Sequence, residues 1–356
     1  MRIGLFTKQD SDIQGSAAAA VDALIAHRPH YCSIHRYTAL PNLTSLLRTR
    51  EFVRRAEADR IDLVHLATTG PLAMVALIVA SRFGLPIIGA FPNTPPAATG
   101  IHSAYVRALM GQGRRLLVTS MTARDAFLRA GISASKIVVW RPGVDSATFA
   151  PSMRSSVLRE RWVVSDARPA VIYAGALSDD RGARRLLSLE VALRRTRPMH
   201  QLIVAGDGPS RNEVQARCPN AIFLGSVPRA EMPQVLASAD LFVCPSEAIS
   251  TNLAVLEAQA SGLPVVVMER GSARERVAES TACVCRSNAD FIVETAALVR
   301  TDERRTAMGL AAREYAKHQD WMAGLTAVYA EYRSAAEISR VRRDLEPAFI
   351  PQRRRL

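Results

Sequence analysis

The sequence has no apolar stretch long enough to cross a bilayer: its best run, Pro71 to Ala80, is half the length that a helical span needs. After the strand-like Arg2-Ile3-Gly4-Leu5-Phe6 the chain turns polar at once, without the apolar core of a secretory leader, so a cytoplasmic protein is expected. Cysteine is scarce: five residues, an odd number, with no Cys-x-x-Cys pair, which argues against a disulfide framework or structural zinc. Lysine is nearly missing, since Lys8, Lys136 and Lys317 are the only three. Acidic residues are also short, 33 against 46 Lys and Arg, giving a net charge of +13 and a pI near 10.3. Such a balance points to nucleic acid, an anionic membrane or an anionic substrate, although arginines scattered along an Ala-rich chain are equally what a coding bias would leave.

What is present is an ordered globular chain, 48% hydrophobic, whose 356 residues exceed one typical core and suit two domains. Short apolar runs alternate with helical patterns throughout, the mark of an α/β fold with parallel sheets covered on both faces. In the first half the expected strands are Ile3 to Phe6, Tyr31 to Ile34, Leu63 to Leu66, Pro86 to Ala90, Leu116 to Thr119 and Ile137 to Trp140. The second half offers Ala170 to Tyr173, Gln201 to Ala205, Ala221 to Leu224, Leu241 to Cys244, Pro264 to Val267 and Ala282 to Cys285. The pattern restarts after Phe149, and the charged, aperiodic stretch Ala150 to Pro169 is expected to link two Rossmann-like domains facing a central cleft. Helical patterns from Ala289 to Lys317 and Trp321 to Arg333 follow, then a basic tail ending in Arg353-Arg354-Arg355 that suggests a frayed terminus or a membrane-surface contact.

The most informative stretch runs from Cys244-Pro245-Ser246-Glu247 through Asn252-Leu253-Ala254-Val255-Leu256-Glu257 to Gly262-Leu263-Pro264. It reads as buried strand, polar loop, helix, Gly stop and a second apolar strand, so the helix N-terminus faces the carboxyl end of the sheet, where phosphate binds readily. Glu257 stands alone as an acid within a small, apolar helix, a costly place unless it bonds something polar such as ribose hydroxyls. The plainer reading is a solvated Glu on an exposed face.

These residues, with Asp62-Leu63-Val64-His65-Leu66-Ala67-Thr68-Thr69-Gly70-Pro71-Leu72, Arg141-Pro142-Gly143-Val144-Asp145, Tyr173-Ala174-Gly175 and Ala205-Gly206-Asp207-Gly208-Pro209, resemble the retaining glycosyltransferases of family 4 from Met1 to about Tyr332. The first two words are most similar to the branch of sulfoquinovosyl-diacylglycerol synthases and lipid α-mannosyltransferases. The resemblance implies a GT-B fold, with an acceptor-binding domain over 1–150, a nucleotide-sugar-binding domain over 151–320, a helix over 321–339 crossing back, and the tail 340–356. It implies transfer of a sugar from a nucleotide diphosphate, UDP or GDP, to a lipid, glycan or small molecule, with no cofactor, no metal and no nucleic acid, in the cytoplasm or on the inner face of a membrane.

By the same resemblance Arg181 is the diphosphate cation and Glu257 the ribose ligand, with Gly15, Gly175, Gly206, Gly208 and the Thr251, Asn252, Leu253 and Ala254 backbone around the donor. His65, Thr68 and Thr69 fall on the acceptor side. Two positions depart from the pattern: Ala176 stands where the family has Arg, and Ile249 where it has an acid eight residues before Glu257, which leaves Glu247 as the acid nearest the sugar. Gly206-Asp207-Gly208 is open to a structural or a ligand-binding reading. His65 is as easily structural, and Thr68 and Thr69 as easily capping residues. Asp10-Ser11-Asp12 has a metal-binding spacing in the wrong strand context. The departures at 176 and 249 support a rival in which the fold binds nucleotide or a partner with little turnover. A dinucleotide oxidoreductase lacks its Gly-x-Gly-x-x-Gly turn.

Overall fold

The computed structural model describes residues 1–8, 16–39, 44–90, 111, 113–195, 200–249 and 251–345. Gly15, Asp10-Ser11-Asp12 and the last eleven residues of the tail lie outside that description. The chain divides into two compact units, one of Met1–Thr119, Ala123–Trp140 and the chain from Gly324 onward, the other of Ser120–Thr122 and Arg141–Ala323.

The first unit holds a six-stranded parallel sheet of β1 (Arg2–Lys8), β2 (Ser33–Ala39), β3 (Leu63–Leu66), β4 (Ile87–Ala90), β5 (Arg115–Val118) and β6 (Ile137–Val139), in the order β2-β1-β3-β4-β5-β6. Inner strands such as β3 are buried throughout, which is why they read as unbroken apolar runs. β2 begins two residues later than expected and runs on through His35 and Arg36, because an edge strand needs one covered face only and Tyr37 supplies it, stacked on Phe6 at 4.6 Å. The last helix, Trp321–Leu345, extends well beyond the expected Arg333. Its Tyr329 hydroxyl donates to the Leu24 carbonyl at 2.5 Å, and Glu331 pairs with Arg115 at 2.9 Å, so its apolar face closes the first sheet's core.

The second unit repeats the architecture with β7 (Ala170–Ala174), β8 (Gln201–Ala205), β9 (Ile222–Gly225), β10 (Leu241–Cys244), β11 (Val265–Met268) and β12 (Ala282–Cys285), ordered β12-β11-β10-β7-β8-β9 and again parallel. Val171, Val204, Val243 and Val266 point into one core with Leu186, Leu189 and Phe291 from flanking helices. The expected Ala289 to Lys317 pattern is two helices, Asn288–Arg300, opened by a Ser287/Asp290 capping box, and Asp302–Lys317.

The stretch Ala150 to Pro169, read from sequence as a linker, is built into the second unit. Ser155 caps a short helix, Ser156–Arg161, and Trp162 is buried behind it. The charges that suggested solvent are paired instead: Asp240 takes Arg154 at 2.6 Å, Arg159 at 3.0 Å and the Ala170 amide at 2.8 Å, tying the stretch to the start of β7.

Candidate functional site

The second sheet reverses its direction of growth at β7, which has β8 on one side and β10 on the other. At such a switch point two loops diverge from the carboxyl edge and leave a crevice where ligands of α/β sheets bind. The loops are 175–182 after β7 and 245–252 after β10.

Gly182 brings them together. Its φ of +75° suits glycine, and a Cβ there would fall 2.4 Å from the Pro245 carbonyl oxygen. Beside it, Asp179–Arg181 makes a single 3-10 turn that projects Arg181, whose side chain is 24% exposed and lies 3.7 Å from Asp180. Gly175 and Ala176 are exposed ahead of this turn, and the buried Tyr173 hydroxyl donates to the Ala176 carbonyl at 2.6 Å, fixing the loop's first bend.

The second loop is held from behind by the turn after β11. Gly271, with φ +91°, lets that turn touch the Glu247 backbone, since a Cβ would come within 2.7 Å of its Cα. Ser272 donates to the Ala248 carbonyl at 3.2 Å and accepts from Asn252 Nδ2 at 2.9 Å. Asn252 adopts the left-handed conformation, φ +46° and ψ +43°, and the helix Leu253–Ala260 starts directly after it. Asn is among the few residues that adopt this conformation readily, and it sets the helix's first-turn amides at the carboxyl edge of the sheet, the arrangement that favours phosphate. The Thr251 and Leu253 side chains are buried and Ala254 is half-buried, so what this segment offers a ligand is backbone.

Glu247 is held by Arg185, which reaches its carboxylate at 2.9 Å and the Pro245 carbonyl at 2.8 Å. The pair lines a cavity of about 550 Å³ with Asp179, Asp180, Gly182, Arg184 and Ala248. Ile249 is half-buried and puts no acid at the family position.

Glu257 is 4% exposed, so the helix bears it inward and not toward solvent. Burial pushes its carboxyl above the usual carboxylate range, and Arg229 pulls it back by charge and by a hydrogen bond of 2.5 Å. Arg229 belongs to the loop after β9 and lies over the Phe149 ring at 4.8 Å.

Gly206 and Gly208 have a packing role. A Cβ on Gly206 would fall 1.8 Å from the Gly175 oxygen and one on Gly208 2.4 Å from the Leu177 oxygen, while Leu177 N donates to Asp207 O at 2.9 Å. They let the loop after β8 lie directly against the loop after β7. Similarly, Gly143 admits the Asp320 backbone at 2.2 Å from where its Cβ would be, and Asp145 caps the amides of Ala147 and Thr148.

In the first unit the acceptor-side candidates lie at the end of β3 and in the turn before the next helix. His65 is 5% exposed, its Nδ1 bonded to the Tyr332 hydroxyl, and burial pushes its pKa down to about 4. It is a neutral, buried residue there, in keeping with the structural alternative left open for it. The helix Pro71–Phe83 is capped by Gly70, not by Thr68 or Thr69; Thr68 Oγ1 accepts the Gly70 amide at 3.3 Å and is buried, and Thr69 is half-buried. Arg185 and Arg229 escaped sequence reasoning. Arg185 is one of several arginines on the helix Ala183–Arg195 and Arg229 one of many polar residues in loops after strands, so neither stood out.

The comparisons with known proteins agree with this geometry. The family described as Glycosyltransferase Family 4 matches residues 6–148, and that described as Glycosyl transferases group 1 matches residues 168–301. A GDP-mannose-dependent alpha-mannosyltransferase of Corynebacterium glutamicum is 30% identical over 84% of this chain and 72% of its own. The sulfoquinovosyl transferase SQD2 of Arabidopsis thaliana is 29% identical over 77% of this chain and 57% of its own. Among solved structures, Anabaena Alr3699/HepE in complex with UDP-glucose superposes with a TM-score of 0.78 at 18% identity, covering 94% of this chain and all of that one. WaaG, a glycosyltransferase of lipopolysaccharide biosynthesis, superposes at 0.72 and 15% identity over 92% of this chain and 98% of its own. With both halves matched in order and each unit carrying its own parallel sheet, the chain is a glycosyltransferase of family 4 with a GT-B fold.

Proposed function

We propose that the protein transfers a sugar, with retention of anomeric configuration and without a metal, from a nucleotide diphosphate to a lipid, glycan or small-molecule acceptor. The observation that carries this reading is that the two loops diverging at the β7/β10 switch lead to a cation, Arg181, on one side and, on the other, to the left-handed Asn252 that opens the helix bearing the buried acid Glu257. A diphosphate leaving group needs positive charge and amide donors fixed where its charge grows, and the acceptor needs orientation more than a strong base. GDP-mannose is the first donor to test, because the Corynebacterium relative and two mycobacterial relatives carry it in their names. Thermal-shift screening of GDP-mannose, UDP-glucose and related donors tests the reading, since a ligand of the native state raises the melting temperature. A flat response across the panel would count against it.

A peripheral place on an anionic membrane has support in the first unit. Leu47 is 85% exposed between Leu46 and a row of exposed arginines, Arg48, Arg50 and Arg54. Apolar insertion beside basic charge suits an anionic lipid surface. Co-sedimentation with vesicles containing anionic lipid, lost in Leu47→Glu, is the expected result.

A second reading, a nucleotide-binding relic, draws on the exposed Ala176 and half-buried Ile249. Native activity confined to deoxy sugars would suit a pocket short of one acid, whereas gain of activity on ordinary hexose donors by Ala176→Arg with Ile249→Glu would favour the relic.

A further inference from the structure

We propose that Arg229 is a positioning residue of the donor site, holding the Glu257 carboxylate charged and in one orientation so that it accepts ribose hydroxyls. The inference rests on the reading of Glu257 as the ribose ligand and adds the group that makes a buried acid usable there.

An ionised carboxylate is an acceptor at both oxygens, whereas a protonated one must first place its own hydrogen. Glu257 is buried in a helix that carries no other charged residue and, Gln259 apart, only small or apolar ones, so desolvation alone favours the neutral form. The elements packed on this helix bring little charge. β10, β11 and the helix Met232–Ala237 carry no Asp, Glu, Lys or Arg. On the helix Asp302–Lys317, Arg313 is engaged by the Ala260 carbonyl at 2.5 Å and the Phe149 carbonyl at 2.7 Å, Arg305 by Asp302, Arg304 by Glu294 and Glu314 by Lys317. The buried Arg276 guanidinium reaches the Pro142 carbonyl, and its own carbonyl takes Gln259. Among the described residues, Arg229 is therefore the charge that acts on Glu257.

Arg229 is also fixed in place. Its guanidinium rests on the Phe149 ring, which is 2% exposed and whose carbonyl Arg313 holds. A flat guanidinium on an aromatic face keeps one edge toward Glu257, which a flexible ammonium would do less well. This gives Phe149 a part in the donor site.

The test compares wild type, Glu257→Gln, Arg229→Ala and Arg229→Lys, titrated with GDP, UDP and their 2′,3′-dideoxy forms at about pH 5.5 and about pH 8. Wild type should prefer the ribo form of the bound nucleotide by about tenfold at both pH values, the scale of a charged hydrogen bond. Glu257→Gln should lose that preference at both. Arg229→Ala should lose it at the lower pH and regain part of it at the higher, as the unsupported carboxyl ionises, and Arg229→Lys should lie between wild type and Ala. If Glu257→Gln loses the preference but Arg229→Ala keeps the wild-type ratio at both pH values, the proposal is wrong while the site stands. If Glu257→Gln keeps the preference, or neither nucleotide binds, the underlying site reading fails and the proposal with it.

Discussion

Gly182 and Pro245 touch through backbone alone: a methyl group on Gly182 would lie 2.4 Å from the Pro245 carbonyl oxygen, at a φ of +75° that disfavours any side chain. The contact joins the loop that carries Arg181 to the loop that ends in Asn252. Gly182→Ala should destabilise the second unit by about 1–3 kcal/mol, the cost of a left-handed non-Gly residue with a clash added. Urea unfolding reads the loss, and nucleotide affinity should fall with it even where the variant is fully folded.

Arg185 and Glu247 are each about one-third exposed, so their ion pair should add only about 0.2–1 kcal/mol to stability. Its effect is on loop order, because the same guanidinium holds the Pro245 carbonyl. Arg185→Met and Glu247→Gln should lower kcat/KM to a similar degree, with the double variant no worse than either. A far larger loss in Glu247→Gln than in Arg185→Met would show that Glu247 itself meets the sugar.

Transfer should persist in a chelator. On the proposed reading, Arg181 and helix-terminal amides would supply the positive charge that a divalent ion would bring to a diphosphate. Loss of activity in EDTA with recovery in Mn would contradict this.

His65 gives the first unit a pH dependence of its own. Its folded pKa of about 4 lies below the unfolded value of 6.5, so the neutral form's stability is fully present above pH 6.5 and is lost as pH falls toward 4. Between neutral pH and pH 5 the loss should reach about 2 kcal/mol. The urea midpoint of the first unit's transition should track this in wild type and lose the dependence in His65→Gln.

Among the described residues each of the twelve strands was legible in the sequence, the inner ones because they are buried on both faces and leave continuous apolar runs. The edge strand β2 was misplaced at its start, since Tyr31, 40% exposed, looks like a strand residue but lies outside the ladder, while polar Arg36 lies within it. Glu257 stood out because a lone acid in an apolar helix is costly. Arg229 and Arg185 did not, because each is an ordinary arginine whose meaning lies in a partner 28 or 62 residues away. The partner of His65 was equally hidden, because nothing near it in sequence announces Tyr332, 267 residues later.

The central claim is that the β7/β10 switch binds a nucleotide sugar through Arg181 and Glu257. Calorimetric titration of wild type, Arg181→Ala and Glu257→Gln with the donor that gives the largest thermal shift tests it most directly. Each variant should bind about 1–3 kcal/mol more weakly than wild type while keeping its fold. Unchanged affinity in both folded variants would place the donor elsewhere and overturn the account.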